Sequence, residues 1–233
     1  MTDPGHAVVY YLVFLFSVTL HEAAHAWVAL LGGDPTAYQG GQVSLDPRPH
    51  IRREPMGMLW LPLISVFLTG WPLGFASAPY NPAWARTHPR RAAWMALAGP
   101  AANLVLVVLA FAALRLGAAG GVFLAPDSAG FDHLAATDPG SAWAGVAFIV
   151  SVTLSLNLLL AVLNLLPFPP LDGSGAIPLF LSDAAAGRYQ EFIWANRGLG
   201  ILGILIAWQL FEYAFHPAFR LVVNLLYPGM GYQ

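Results

Sequence analysis

The stretch AVVYYLVFLFSVTLHEAAHAWVALL, residues 7–31, decides how the rest of the chain is read. Crossing a bilayer as a helix takes about 20 mostly apolar residues, and this run is long enough. Inside lipid the backbone must satisfy its own hydrogen bonds, so the segment is expected to be helical. A secretory signal would be a shorter apolar run behind basic residues and ahead of a small-residue cleavage site. The run here carries His21, Glu22 and His25 and is read as a retained span.

Working outward, similar stretches near 92–116, 142–166 and 198–215 make three further spans. Two more, 56–76 and 217–227, are apolar, but Pro62, Gly70, Pro72 and Gly74 interrupt the first and the second is short, so either could be re-entrant. Residues 32–55 are polar and rich in Gly, Pro and Asp. They read as a loop with a short strand or β-hairpin at Gln42-Val43-Ser44-Leu45. The expectation is a single domain, 1–233, folded as an all-α polytopic membrane protein of about 5–6 membrane segments.

Composition agrees. Hydrophobic residues make up 58% of the chain and charged residues 9%, with a mean hydropathy of +0.62, which is far more apolar than a soluble domain. The net charge of -2 offers no field for nucleic acid, so no nucleic-acid partner is expected. With no cysteine, disulfides and thiolate ligands are excluded, and any metal must be held by histidine and carboxylate.

Every basic residue is arginine, and arginine placement sets topology because basic residues collect in short cytoplasmic loops. Arg48, Arg52 and Arg53 precede the 56–76 stretch, and Arg86, Arg90 and Arg91 follow it. If the stretch dips into the membrane and returns, both groups face the cytoplasm, the arginine-free 117–140 loop faces outward, and Arg188 and Arg197 come back to the cytoplasmic side. Trp27, Trp84, Trp94, Trp143 and Trp194 lie near span ends, where an interfacial belt or core packing explains them equally well.

Leu20-His21-Glu22-Ala23-Ala24-His25 matches H-E-x-x-H. On a helix, residues four apart share a face, so both imidazoles can reach one Zn²⁺, while Glu22 can act as general base on the attacking water. Chance would give this pattern in roughly 0.4% of shuffled chains of this composition. Purely structural polar residues would be costly at that depth unless paired or liganded. A catalytic zinc usually has three protein ligands. The candidate for the third is Asp172, in Asn164-Leu-Leu-Pro-Phe-Pro-Pro-Leu-Asp172-Gly173, where Pro167, Pro169 and Pro170 stop a helix and stiffen the turn. An ordinary surface turn is the competing reading. The arginine-based topology brings Asp172 to the side where His25 lies, some six residues from the end of its span.

Ala98-Gly99-Pro100-Ala101-Ala102-Asn103 offers small residues for close helix approach and an amide inside the bilayer. Asn103 and Asn164 are candidates for binding substrate backbone or stabilising an oxyanion. His50, beside Arg52, reads as a solvated histidine and not as a ligand.

Together these motifs, with the Ser44-Leu45-Asp46-Pro47 loop, resemble the site-2 protease family of intramembrane zinc metalloproteases, in its compact bacterial or archaeal form. The resemblance implies one Zn²⁺ per chain held by His21, His25 and Asp172, with Glu22 as catalytic base, on a three-helix core of 7–31, 92–116 and 142–166. The spans and the arginine placement lead us to expect a multi-pass protein of the cell membrane with its active site towards the cytoplasm, and the resemblance implies cutting of transmembrane protein substrates in the lipid bilayer; a homo-oligomeric or regulatory membrane partner is left open. Many members have Asn-Pro-Asp-Gly where this chain has Pro170-Leu171-Asp172-Gly173, which leaves the role of Asn164 undecided. The 117–140 loop is too short for a PDZ fold and six residues after Tyr227 are too few for CBS domains, so substrate choice is expected to rest on the membrane core. The alternatives are a metal transporter or sensor using the same ligands, which would usually repeat its motif in two halves, and an inactive scaffold, which would be expected to have lost Glu22 or a ligand.

Overall fold

The computed structural model describes residues 3–196 and 198–232; Arg197, used in the topology expectation, lies outside the described residues. The elements are α1 (Pro4–Leu31), α2 (Thr36–Gln39), α3 (Pro47–Arg53), α4 (Met56–Thr69), α5 (Pro82–Thr87), α6 (Pro89–Ala119), α7 (Ala144–Leu165), α8 (Asp172–Ala176), α9 (Asp183–Ala195) and α10 (Gly198–Leu226). Four of them, α1, α6, α7 and α10, are long and apolar enough to cross a membrane, with mean hydropathies of 1.6, 2.2, 2.5 and 1.5. The molecule is a helical multi-pass membrane protein.

Local chemistry fixes the ends of α1. Asp3 caps the helix by accepting from the Gly5 and His6 amides at 2.7 and 3.2 Å, with Pro4 in the first turn, where its missing N–H costs nothing. α6 packs against α1 on one side and α7 on the other. Ala29 of α1 is buried in one cluster with Met95 of α6. Val107, Ala110 and Leu114 of α6 join Leu154 and Leu158 of α7 and Val223 and Leu226 of α10 in one apolar cluster. The Arg115 guanidinium donates to the Leu226 carbonyl at 2.6 Å, tying α6 to the far end of α10.

The last helix runs unbroken through Pro217, where the sequence suggests a span and a separate short segment. Proline removes one backbone bond, but lipid offers the freed groups no better alternative than continuing the helix. Only 17% of its most apolar window is buried, which puts α10 at the periphery.

Residues 32–55 hold no strand among the described residues, contrary to the expected hairpin. Gly33 (φ 96°) and Gly41 (φ 75°) make left-handed turns there, and Asp34 and Asp46 each start a short helix. A four-residue alternation without a partner strand cannot hold itself extended. Hydrogen bonds from the Arg48 side chain and amide hold the Asp46 carboxyl down at about 2, so the cap stays anionic. His50 is 1% exposed, not solvated, and its Nε2 donates to the Ser44 carbonyl at 3.0 Å. Trp84 is likewise internal, with its indole N–H on the Gly32 carbonyl at 2.9 Å, whereas Trp27, Trp94 and Trp143 are exposed.

α4 is about 21 Å long at 1.5 Å per residue, too short to cross. It ends at Gly70 (φ 82°), and residues 71–81 come back extended. The Phe75 amide donates to the Gly57 carbonyl at 3.1 Å, and a Cβ at Gly57 or Gly74 would collide with the opposite backbone. The Arg53 guanidinium donates to Ser77 O at 3.0 Å, so the chain leaves this excursion at the end where it entered.

Asp34 anchors the returning arm. Its buried carboxylate accepts from the Thr36 amide at 3.0 Å and from the Asn81 amide at 2.7 Å, joining the end of α1 to the start of α5. Asp34→Ala leaves both donors unpaired and is expected to cost about 1–3 kcal/mol, read as a lower thermal unfolding midpoint in detergent.

Candidate active site

His21, Glu22 and His25 lie on the inner face of α1, each 5–7% exposed. Their ligand atoms fall within 4.8 Å of one another. The two rings stand nearly perpendicular, at 82°, with Nε2 atoms 3.0 Å apart. Asp172 opens α8, directly after the proline-stiffened turn, and its Oδ2 lies 3.1 Å from His21 Nε2 and 3.3 Å from His25 Nε2.

The other ring nitrogens explain this triangle. His21 Nδ1 donates to Asn103 Oδ1 at 2.6 Å, and His25 Nδ1 donates to the Met95 carbonyl at 2.7 Å. With the proton held on Nδ1, both Nε2 atoms carry lone pairs, and neither can donate to the other or to Asp172. Asp172 Oδ2 accordingly has no hydrogen-bond partner despite its two close neighbours. Three acceptors 3.0–3.3 Å apart would repel one another unless a cation lay between them. Ligands at 2.0–2.1 Å from a tetrahedral zinc stand about 3.3 Å apart, so the donor set fits that ion with a fourth position open.

Glu22 Oε2 is buried without a hydrogen-bond partner. A cavity of about 830 Å³ opens in front of Glu22, His25 and Asp172, walled by the returning arm on one side and α9 on the other. Along the arm, the N–H groups of Ala76, Ala78 and Tyr80 find no partner among the described residues. Arg86 stacks over the Trp194 ring at 5.0 Å across the same opening.

Asn103 and Asn164 do not line this cavity. Asn103 is fully buried between His21 and Asn157, donating to Asn157 Oδ1 at 2.8 Å. Asn164 donates to Leu160 O, one turn back on its own helix, at 3.0 Å. Gly99 has a reason that helix approach alone does not supply: a Cβ there would strike the Nε2 atoms of both His21 and His25.

Asn157 and Ser17 escaped the sequence reading. Asn157 donates to Ser17 Oγ at 2.9 Å, completing a line of polar groups from α1 through α7 and α6 back to α1. An amide amid the leucines of 154–160 was the available signal, because a lone amide in lipid needs partners. Asn103→Ala is expected to weaken zinc binding about 10–100-fold, and Asn157→Ala in the same direction by less, measured by competition with a chelator.

Comparison with known proteins agrees with this geometry. The chain is 39% identical over 164 residues to Rip2 of Mycobacterium tuberculosis, covering 70% of this chain and 54% of that protein. It is 36% identical over 163 residues to YwhC of Bacillus subtilis, covering 70% and 64%. Both names designate zinc metalloproteases, and the chain spans less than two thirds of either relative's length. No solved structure matches. Residues 9–205 match the model of peptidase family M50, a stretch that takes in His21, Glu22, His25 and Asp172, and the chain belongs to that family.

Proposed function

We propose that this protein is an intramembrane zinc endopeptidase that hydrolyses peptide bonds of membrane-spanning substrates. The observation that carries the reading is the triangle of His21 Nε2, His25 Nε2 and Asp172 Oδ2, with an unpartnered Glu22 carboxylate beside it and an open cavity in front.

His21, His25 and Asp172 would hold the zinc, which when bound polarises the scissile carbonyl and makes water acidic enough to lose a proton near neutral pH. Glu22 takes that proton and returns it to the leaving amine. Asn103 and the Met95 carbonyl keep both imidazoles in the tautomer that leaves Nε2 free.

A peptide bond within a helix is already hydrogen-bonded and shielded, so the substrate must unwind locally before it is cut. The free N–H groups of Ala76, Ala78 and Tyr80 give an unwound segment partners for the carbonyls it exposes.

The cavity opens at the end where the arginines of α3, α5 and the start of α6 gather, and the ion pair of Arg90 with Asp183 at 3.0 Å brings α9 and Arg188 there too. The positive-inside tendency turns this end to the cytoplasm and makes α4 with its returning arm a re-entrant segment.

Glu22→Gln is expected to retain zinc and to lose cleavage of single-span helical substrates by at least about 10²-fold. Purified protein assayed for both metal and cleavage tests this. Equal cleavage by both proteins would remove Glu22 from the chemistry, and zinc in both with cleavage by neither would favour metal transport or sensing. Because the chain has no native cysteine, single replacements report topology cleanly. Ala83→Cys is expected to react only with reagents reaching the cytoplasmic side, and Ser128→Cys only with those outside.

A further inference from the structure

The turn that carries Asp172 has little of its own to hold it. Pro167, Pro169 and Pro170 have no N–H, and within 167–171 the one internal backbone bond is the Leu171 amide on the Phe168 carbonyl at 2.9 Å. Such a turn takes its position from what it is wedged against. On one side Gly173 backs directly onto the end of α7, where a Cβ would meet the carbonyls of Leu165 and Leu166. On the other side lies Gly203 of α10. A Cβ there would collide with the Pro169 carbonyl oxygen and stand 2.9 Å from its carbon and 3.2 Å from its nitrogen. These are backbone atoms, which cannot swing aside as a side chain could.

The rest of the N-terminal half of α10 makes little contact. Of its first ten residues only Gly203 and Ala207 are buried, while Val223 and Leu226 anchor the opposite end. The close approach at Gly203 is therefore the main support between this half of the helix and the turn that carries the aspartate.

We infer that α10, which supplies no ligand, positions the third metal ligand: the bare backbone at Gly203 seats Pro169 and thereby sets the distance of the Asp172 carboxylate from His21 and His25. Gly203 is a positioning residue. The inference rests on the proposed role of Asp172 as ligand. A methyl group at position 203 forces the turn to move, and through Leu171 the carboxylate leaves the 3.1–3.3 Å spacing that suits the ion.

The test uses the full chain in detergent, stripped of metal and titrated with Zn²⁺ and, for its visible spectrum, with Co²⁺, which the same ligand set accepts. Gly203→Ala is expected to bind Zn²⁺ about tenfold more weakly and to shift the Co²⁺ absorption bands, and Gly203→Val to do both more strongly, in the range seen when groups supporting a metal ligand are removed. Gly200→Ala, on the same helix where a Cβ meets nothing within 4 Å, is expected to bind as the native protein does. Metal-free thermal unfolding of each variant separates loss of fold from loss of ligand position. Native affinity and an unchanged Co²⁺ spectrum in both Gly203 variants would overturn the inference, as would a lowered melting point with unchanged metal binding. Asp172→Asn in the same titration separates the two claims. If it too binds as the native protein does, the ligand assignment fails; if it alone loses metal, the positioning role of Gly203 fails.

Discussion

A polar group placed in hydrocarbon costs several kcal/mol unless another group bonds it, and most of the molecule's interior follows from that penalty. Two imidazoles and a carboxylate lie within five residues of α1, at the depth of its membrane-spanning portion. Each needs partners that lipid cannot provide. The Met95 carbonyl and the Asn103 amide arrive from α6 to bond the two imidazoles. The close contact of α6 with α1, with Gly99 against the two imidazoles and Ala29 beside Met95, is the packing those bonds require. Glu22 Oε2 and Asp172 Oδ2 stay without hydrogen-bond partners at the centre of the proposed site.

The features readable from sequence are those whose physics is local or periodic. H-E-x-x-H on an apolar run shows its shared face through helical geometry alone, and the prolines before Asp172 announce a stiff turn without any knowledge of the fold. The arginines on either side of 56–76 indicated that this segment turns back. The missed features depend on contacts far apart in the chain. Gln42–Leu45 looked like a strand because alternation carries no information about whether an edge exists to pair with. The stretches 198–215 and 217–227 read as separate segments, yet one helix runs through Pro217, whose cost in water is not its cost in lipid. Asn157, 54 residues from Asn103 and 140 from Ser17, is invisible as a partner until three helices are assembled.

Burial is also uneven across the molecule. α6 and α7 share one apolar cluster, α1 packs in separate clusters against α7, α4 and the start of α6, and α1 carries two of the three proposed ligands. The cavity walls are more lightly made: an extended arm with unpaired amides, a short helix joined to α5 by one stacked arginine, and the half-free end of α10. The proposed substrate would need room to unwind, and room comes most readily from elements that bury little. The proposed chemistry needs fixed distances, and His21 and His25 take theirs from α1, whose inner face is buried.

The line of polar groups running Ser17, Asn157, Asn103 and His21 has a consequence for the life of the protein before it is finished. Asn103 is oriented by α7, which leaves the ribosome after α1 and α6 have entered the bilayer. Until α7 docks, nothing fixes the amide that keeps His21's proton on Nδ1, and Asp172, farther along the chain, has not yet emerged. In a half-inserted chain the proposed metal site is thus incomplete, and it is assembled only after α7 is in place.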